Sequence, residues 1–249
     1  MTPDSSPDSL TDCSTVIFAG PSVHGLDLSD FTGLTFKGPA ACGDLLAAVQ
    51  GGAQVIGLID GLYGDCAAVW HKEILFALSK GVAVAGAASM GALRAAECGA
   101  FGMVGMGQVF ADYRDGRRVS DADVALSHAP ADLAYRPLTL ALVDAEATLD
   151  GLKENLGQDA HARLMAAARR LHFSRRTWRA IAREGGFEGA MADRLAAGAR
   201  SIKQADALIL IKTLQAGLLV TAPSAGAWRF QDTLFFRSLL SRPKAGSRA

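Results

Sequence analysis

Short apolar runs alternate with amphipathic stretches over the first hundred residues, and this alternation sets the expected architecture. Val16–Ala19 (VIFA) reads as a buried strand ending at Gly20-Pro21. Gly43–Gln50 reads as a short helix closed by Gly51-Gly52, and Gln54–Ile59 as a second strand ending at Asp60-Gly61. Cys66–Lys80 follows as a helix stopped by Gly81, then Val82–Ala85 as a third strand and Met90–Cys98 as a helix. Short apolar strands interleaved with helical periodicity indicate βαβ units and a parallel sheet covered on both faces. Val104–Tyr113 reads as helical and Val124–His128 as one more strand. From Pro137 the pattern is helix after helix: Leu138–Leu156, Gln158–His172, Thr177–Glu184 and Ile202–Leu219. The expected fold class is α/β, an N-terminal parallel-sheet α/β domain followed by a C-terminal α-helical region. The expected boundaries are a disordered tail over 1–13, an α/β core over 14–156, a helical region over 157–236 and a second disordered tail over 237–249.

Composition narrows the functional classes. The chain has 249 residues, half of them hydrophobic, enough for a full core. No apolar run approaches the roughly 18 residues of a membrane span. The first 36 residues hold no Lys or Arg, unlike a secretory signal. Cys13, Cys42, Cys66 and Cys98 are scattered, without a C-x-x-C pair or a histidine at metal spacing. They read as reduced thiols of a cytoplasmic protein, and neither a metal nor another cofactor is expected. The zero net charge conceals a split: residues 1–159 hold 9 Lys and Arg against 20 Asp and Glu, whereas 160–249 hold 16 against 5. The basic half lacks any known nucleic-acid motif, so nucleic acid is not an expected partner. Its arginines, Arg169, Arg170, Arg175 and Arg176 among them, read as a solvated face or a docking surface for an acidic protein.

The segment Val82–Glu97, VAVAGAASMGALRAAE, carries the strongest chemical signal. Ser89 falls where strand gives way to helix, flanked by Gly86 and Gly91. Such a turn exposes a hydroxyl beside a helix N-terminus, although serine also serves there simply as an N-cap. In open parallel sheets ligands bind beyond the carboxyl ends of the strands. Gly20, Ser22, Asp60 and Ser89 all lie at such ends. Candidate bases come from the helix CAAVWHKEILFALSK, nearly apolar apart from His71, Lys72 and Glu73. Lys72 has Ala68, Val69, Leu75 and Phe76 at helical spacing, so its amine would be partly desolvated and suited to a Ser–Lys pair. His71 is the rival base, and Glu73 could orient either. The backbone N–H groups near Met90 or at the Gly20-Pro21-Ser22 turn are candidate oxyanion donors. Asp60 is a ligand-binding acid or a turn cap, and Arg94 reads first as a surface ion pair with Glu97 and otherwise as a partner-binding residue.

The stretches KGPAACGDLLAAV, VIGLIDGLYGDCAAVWHKEILFALSKGV, GAASMGALRAAECGAFGMVGMG and FADYRDG together resemble the TfuA-like family. The resemblance runs from about Val16 to about Leu149, with Lys37 standing where an arginine is expected. It implies an accessory protein of YcaO-dependent peptide backbone thioamidation. The implied partners are a YcaO protein, a thiocarboxylated ubiquitin-like (ThiS-like) sulfur carrier, and the peptide or protein being thioamidated. The implied activity is a hydrolase that releases sulfide from the carrier, with Ser89 and, as the best-matching lysine, Lys72. A non-catalytic adaptor that docks substrate on YcaO, and a Ser–Lys peptidase or amidase, are the alternative readings.

Overall fold

The computed structural model describes residues 14–64, 66–219 and 228–240. The tail expected over 1–13, and residues 241–249 of the second, lie outside the described residues. Five strands form one parallel sheet: β1 (Thr15–Phe18), β2 (Leu34–Lys37), β3 (Val55–Leu58), β4 (Ala83–Ala87) and β5 (Val104–Met106), in the order β2-β1-β3-β4-β5. β1 is buried throughout, β3 and β4 beyond their first residues, whereas edge strand β2 alternates half-buried and exposed positions. That weak, short alternation (LTFK) gives no clear strand signal in sequence.

Successive side chains of a strand point to opposite faces, and each face has its own core. On one face Val16, Phe18, Ile56, Leu58 and Val84 pack with α1 (Asp44–Gln50), α2 (His71–Ser79) and α3 (Met90–Cys98). On the other, Ile17, Ala19, Ile59, Ala85 and Ala87 pack against Ala207, Leu210, Ile211 and Leu214 of α10 (Ile202–Gln215). The β1–β2 connection holds only a 3-10 turn, Pro21–Val23, too short to cover that second face. The far C-terminal helix α10 covers it instead. Between them run α4 (Gly107–Arg114), α5 (Leu142–Gly151), α6 (Lys153–Leu156), α7 (Gln158–Arg170), α8 (Trp178–Glu184) and α9 (Gly189–Ala197). Helices α5, α7, α8 and α9 share a separate core containing Leu149, Leu164, Ile181 and Leu195.

The elements differ from the sequence reading in several places, with β2 and α9 having no counterpart in it. Val104–Tyr113 divides into β5 and α4. Val124–His128 is no strand; it contributes an isolated bridge between His128 and Pro137. The helix expected from Cys66 begins at His71, and that expected over Leu138–Leu156 divides into α5 and α6. Residues 237–240, expected in a disordered tail, continue α11 (Leu234–Leu240), where Leu239 is buried against Leu46. The packing also cuts across the expected division at 156/157, because α5 joins the helical core and α10 joins the sheet. Among the described residues no helix is long and apolar enough to cross a membrane.

Gly86 and Gly91 are dictated by close backbone approach. A Cβ on Gly91 would overlap the carbonyl oxygen of Leu58, and one on Gly86 that of Gly91. The Gly91 N–H donates to the Ile59 carbonyl at 3.1 Å, so the first turn of α3 lies directly on the β3 terminus. Because the clash is with backbone, Gly91→Ala is expected to lose about 3 kcal/mol or more. Gly99→Ala, with nothing within 4 Å of the added methyl, is expected to leave stability within about 0.5 kcal/mol. Urea denaturation of the two variants measures the contrast.

Candidate active site

In the strand order β2-β1-β3-β4-β5, connections leave β1 and β3 in opposite directions, which opens a crevice beyond their carboxyl ends. A cleft of about 590 Å³ lies there, and Pro21, Asp60, Ser89, His128, His172 and Lys203 are among its lining residues. Ser89 is delivered by the β4–α3 turn. Ala88, fully buried, adopts φ +66°, a left-handed conformation costing a non-glycine residue about 1–2 kcal/mol. That turn places Ser89, 7% exposed, immediately before α3. Its Oγ makes a long contact of 3.5 Å to the Val124 carbonyl oxygen.

The same carbonyl accepts a 2.9 Å hydrogen bond from Nζ of Lys203. Hydroxyl and amine therefore converge on one oxygen. Lys203 is 1% exposed, and among the described residues it has no carboxylate within salt-bridge distance. Burying an ammonium without a paired carboxylate costs several kcal/mol. The N-terminus of α10 is fixed by Asp144 of α5, whose carboxylate accepts from the Lys203 N–H at 3.1 Å and the Ser201 Oγ at 3.1 Å. Burial raises the Asp144 carboxyl above its ordinary range, partly offset by the Lys203 charge. Asp206 then accepts from the N–H groups of Gln108 and Val109, capping α4 from outside. Its carboxyl is likewise raised by burial.

Lys203 escaped the sequence reading although its signal is present. It falls in register with Asp206, Ala207, Leu210, Ile211 and Leu214, so two charged residues occupy the apolar stripe of α10. The two histidines were also missed, since neither lies near Ser89 in sequence. Nδ1 of His128 lies 2.8 Å from the Ala129 carbonyl oxygen, so it carries the proton and leaves Nε2 bare. Nδ1 of His172 accepts from Ser174, so its Nε2 carries the proton in the neutral ring.

Lys72 lies elsewhere. Helix α2 starts at His71, so Ala68 and Val69 are not its helical neighbours, and Lys72 is only partly buried. Its Nζ donates to the Gln231 carbonyl and stands over the Phe230 ring, tying down the segment before α11. Lys72 and His71 line a separate depression with Arg94, away from Ser89. His71 Nε2 and Arg94 both meet the Glu97 carboxylate, at 2.8 and 2.6 Å. Glu73 orients neither candidate base. Its fully buried carboxylate accepts from the N–H groups of Gly43, Leu46 and Trp70, capping α1 and its own helix. Burial raises its carboxyl and those hydrogen bonds pull it back.

Asp60 does lie in the cleft, but its oxygens are occupied by the Gly20 N–H at 2.8 Å, the Ser22 N–H at 3.0 Å and the Ser22 Oγ at 2.7 Å. The Gly20-Pro21-Ser22 turn therefore has no N–H left for an oxyanion, since Pro21 carries none. Among the described residues no acceptor takes the Met90 N–H, which remains available. The arginines separate as well. Arg176 is 3% exposed and caps the carbonyls of Ala168, Leu140 and Leu171, so it cannot meet a partner. Arg169 pairs with Glu146 and Arg170 with Glu184. Arg175 is exposed. Among the described residues no cluster of three or more His, Cys, Asp or Glu could hold a metal ion.

Cys66 lines the cleft, whereas Cys98 is buried in α3. Burial, helped by the Glu97 charge, pushes the Cys98 thiol up to about 12. The thiolate is the reactive species, so iodoacetamide at pH 8 is expected to label Cys66 in the native protein and spare Cys98 until denaturant is added. Peptide mapping reads the two sites, and equal native labelling would contradict this placement.

Residues 60–177 match the family model described as TfuA-like protein. No curated protein matches the chain. The matched segment contains Ser89, His128 and His172 but ends before Lys203. Family and geometry thus meet at the β4–α3 turn, and over residues 60–177 the chain is TfuA-like, the family its sequence resembles.

Proposed function

We propose that this chain is an accessory hydrolase of YcaO-dependent thioamidation, releasing sulfide from a thiocarboxylated sulfur-carrier protein with Ser89 as nucleophile and Lys203 as base. The family match is compatible with the accessory role. The observation that carries the chemistry is the shared Val124 carbonyl, which brings the Ser89 hydroxyl and the Lys203 amine together inside the cleft.

The reaction begins as Lys203, in its neutral form, accepts the Ser89 proton while Oγ bonds to the thiocarboxylate carbon. The Met90 N–H faces the developing oxyanion, in the position that follows a nucleophile on a strand–turn–helix. Collapse breaks the carbon–sulfur bond. The proton on Lys203 passes to sulfur, which leaves as hydrosulfide, and an acyl ester remains on Ser89. Water then attacks that ester with Lys203 again accepting a proton and returning it to Oγ. The carrier departs with an ordinary carboxylate. Overall, thiocarboxylate and water give carboxylate, hydrosulfide and one proton released to solvent, with no redox change.

Sulfide release from a thiocarboxylated ubiquitin-like carrier tests the reading. Ser89→Ala and Lys203→Met are each expected to lower kcat about 10³-fold or more, with the fold checked by circular dichroism. Lys72→Ala is expected to stay within about twofold of the parent, because Lys72 lines another depression. Full YcaO-dependent thioamidation with Ser89→Ala, the carrier serving as sulfur source, would instead leave a non-catalytic adaptor, and cleavage of the thioamidation substrate would mark a peptidase.

A further inference from the structure

Three arginines that follow the cleft lining in sequence make no ion pair among the described residues. Phe173 and Ser174 line the cleft mouth, and Arg175 follows them directly. Arg179 and Arg183 come four and eight residues later, the latter two on α8. All three are exposed. Among the described residues none has a carboxylate within salt-bridge distance, whereas Arg163, Arg169 and Arg170 of α7 pair with Asp159, Glu146 and Glu184. Like charges four apart on a helix repel. Here that repulsion has no compensating contact inside the protein.

From this we infer that Arg175, Arg179 and Arg183 form a docking stripe for an acidic face of the protein whose acyl terminus enters the cleft. The proposal rests on the hydrolase reading for the identity of that protein, the sulfur carrier. Its own support is separate: unpaired positive charge that starts at the residue next to the cleft lining, in a half of the chain carrying 16 Lys and Arg against 5 Asp and Glu. Exposed rim charges act chiefly through encounter rate and orientation, so the stripe contributes to capture and leaves the chemical step alone. A small thiocarboxylate, having no protein face to dock, gains nothing from it.

The test uses the full chain and the triple variant Arg175→Ala/Arg179→Ala/Arg183→Ala. Association is read by fluorescence anisotropy with a labelled acidic carrier ending in its ordinary carboxylate, so binding is measured without turnover. The triple variant is expected to raise Kd about tenfold at low salt and to flatten its rise with added NaCl. In parallel, KM for sulfide release from the thiocarboxylated carrier should rise by a similar factor at unchanged kcat, while thioacetate hydrolysis stays unchanged. An unchanged Kd would overturn the stripe whatever the enzyme does. Equal loss on thioacetate, or loss of single-stranded RNA binding with carrier binding intact, would overturn it too. A shifted Kd in a protein that hydrolyses neither thiocarboxylate would uphold docking and remove the hydrolase reading alone.

Discussion

The packing of α10 on the open face of the sheet is the contact on which the site depends. The β1–β2 connection is too short to cover that face. Ala207, Leu210, Ile211 and Leu214 supply the missing apolar layer. Burying that stripe also buries whatever shares its register, and Lys203 and Asp206 do. The hydrophobic contact thus drives a lysine into the interior beside Ser89. Gly57 fits this interface closely, for a Cβ there would meet Leu210 and Leu214 within 3 Å.

Short elements explain where most of the other buried charge goes. Strands of three to five residues and helices of four to fourteen leave many backbone groups without partners at their ends. Buried, such groups must be satisfied by side chains or water. Asp60 serves the turn after β1, Glu73 serves α1 and α2, Asp206 serves α4, and Arg176 closes the end of α7. Asp60 and Glu73 resemble catalytic equipment in sequence because each is charged and set beside apolar residues. Lys203 differs in having a single carbonyl for a partner, and that carbonyl is shared with a serine.

The cleft adds a consistent electrostatic setting. Among the described lining residues its one carboxylate is Asp60, whose oxygens are occupied by three donors. Lys203 and His172, both among its lining residues, carry donors there. The strained Ala88 conformation holds the serine in place, and the close approach of Gly86 and Gly91 leaves that turn no room to relax.

The local signals were legible in the chain. The strands β1, β3 and β4 appear as apolar runs ended by Gly, Pro or Asp. Ser89 is recognisable from a β-branched run, small residues and a following helix, and the family resemblance rests on the same stretch. β2 and β5 were not legible, because three or four residues at a sheet edge or before a helix carry too little periodicity. The amine that lies beside Ser89 was not legible either. Lys72 and Lys203 both sit on largely apolar helices, and sequence proximity favoured Lys72. Local sequence by itself determined the turn and its hydroxyl, since dihedral preference and periodicity act over a few residues. Only tertiary packing decided which amine would face it, because Ser89 and Lys203, 114 positions apart in the chain, meet only when α10 closes over the sheet.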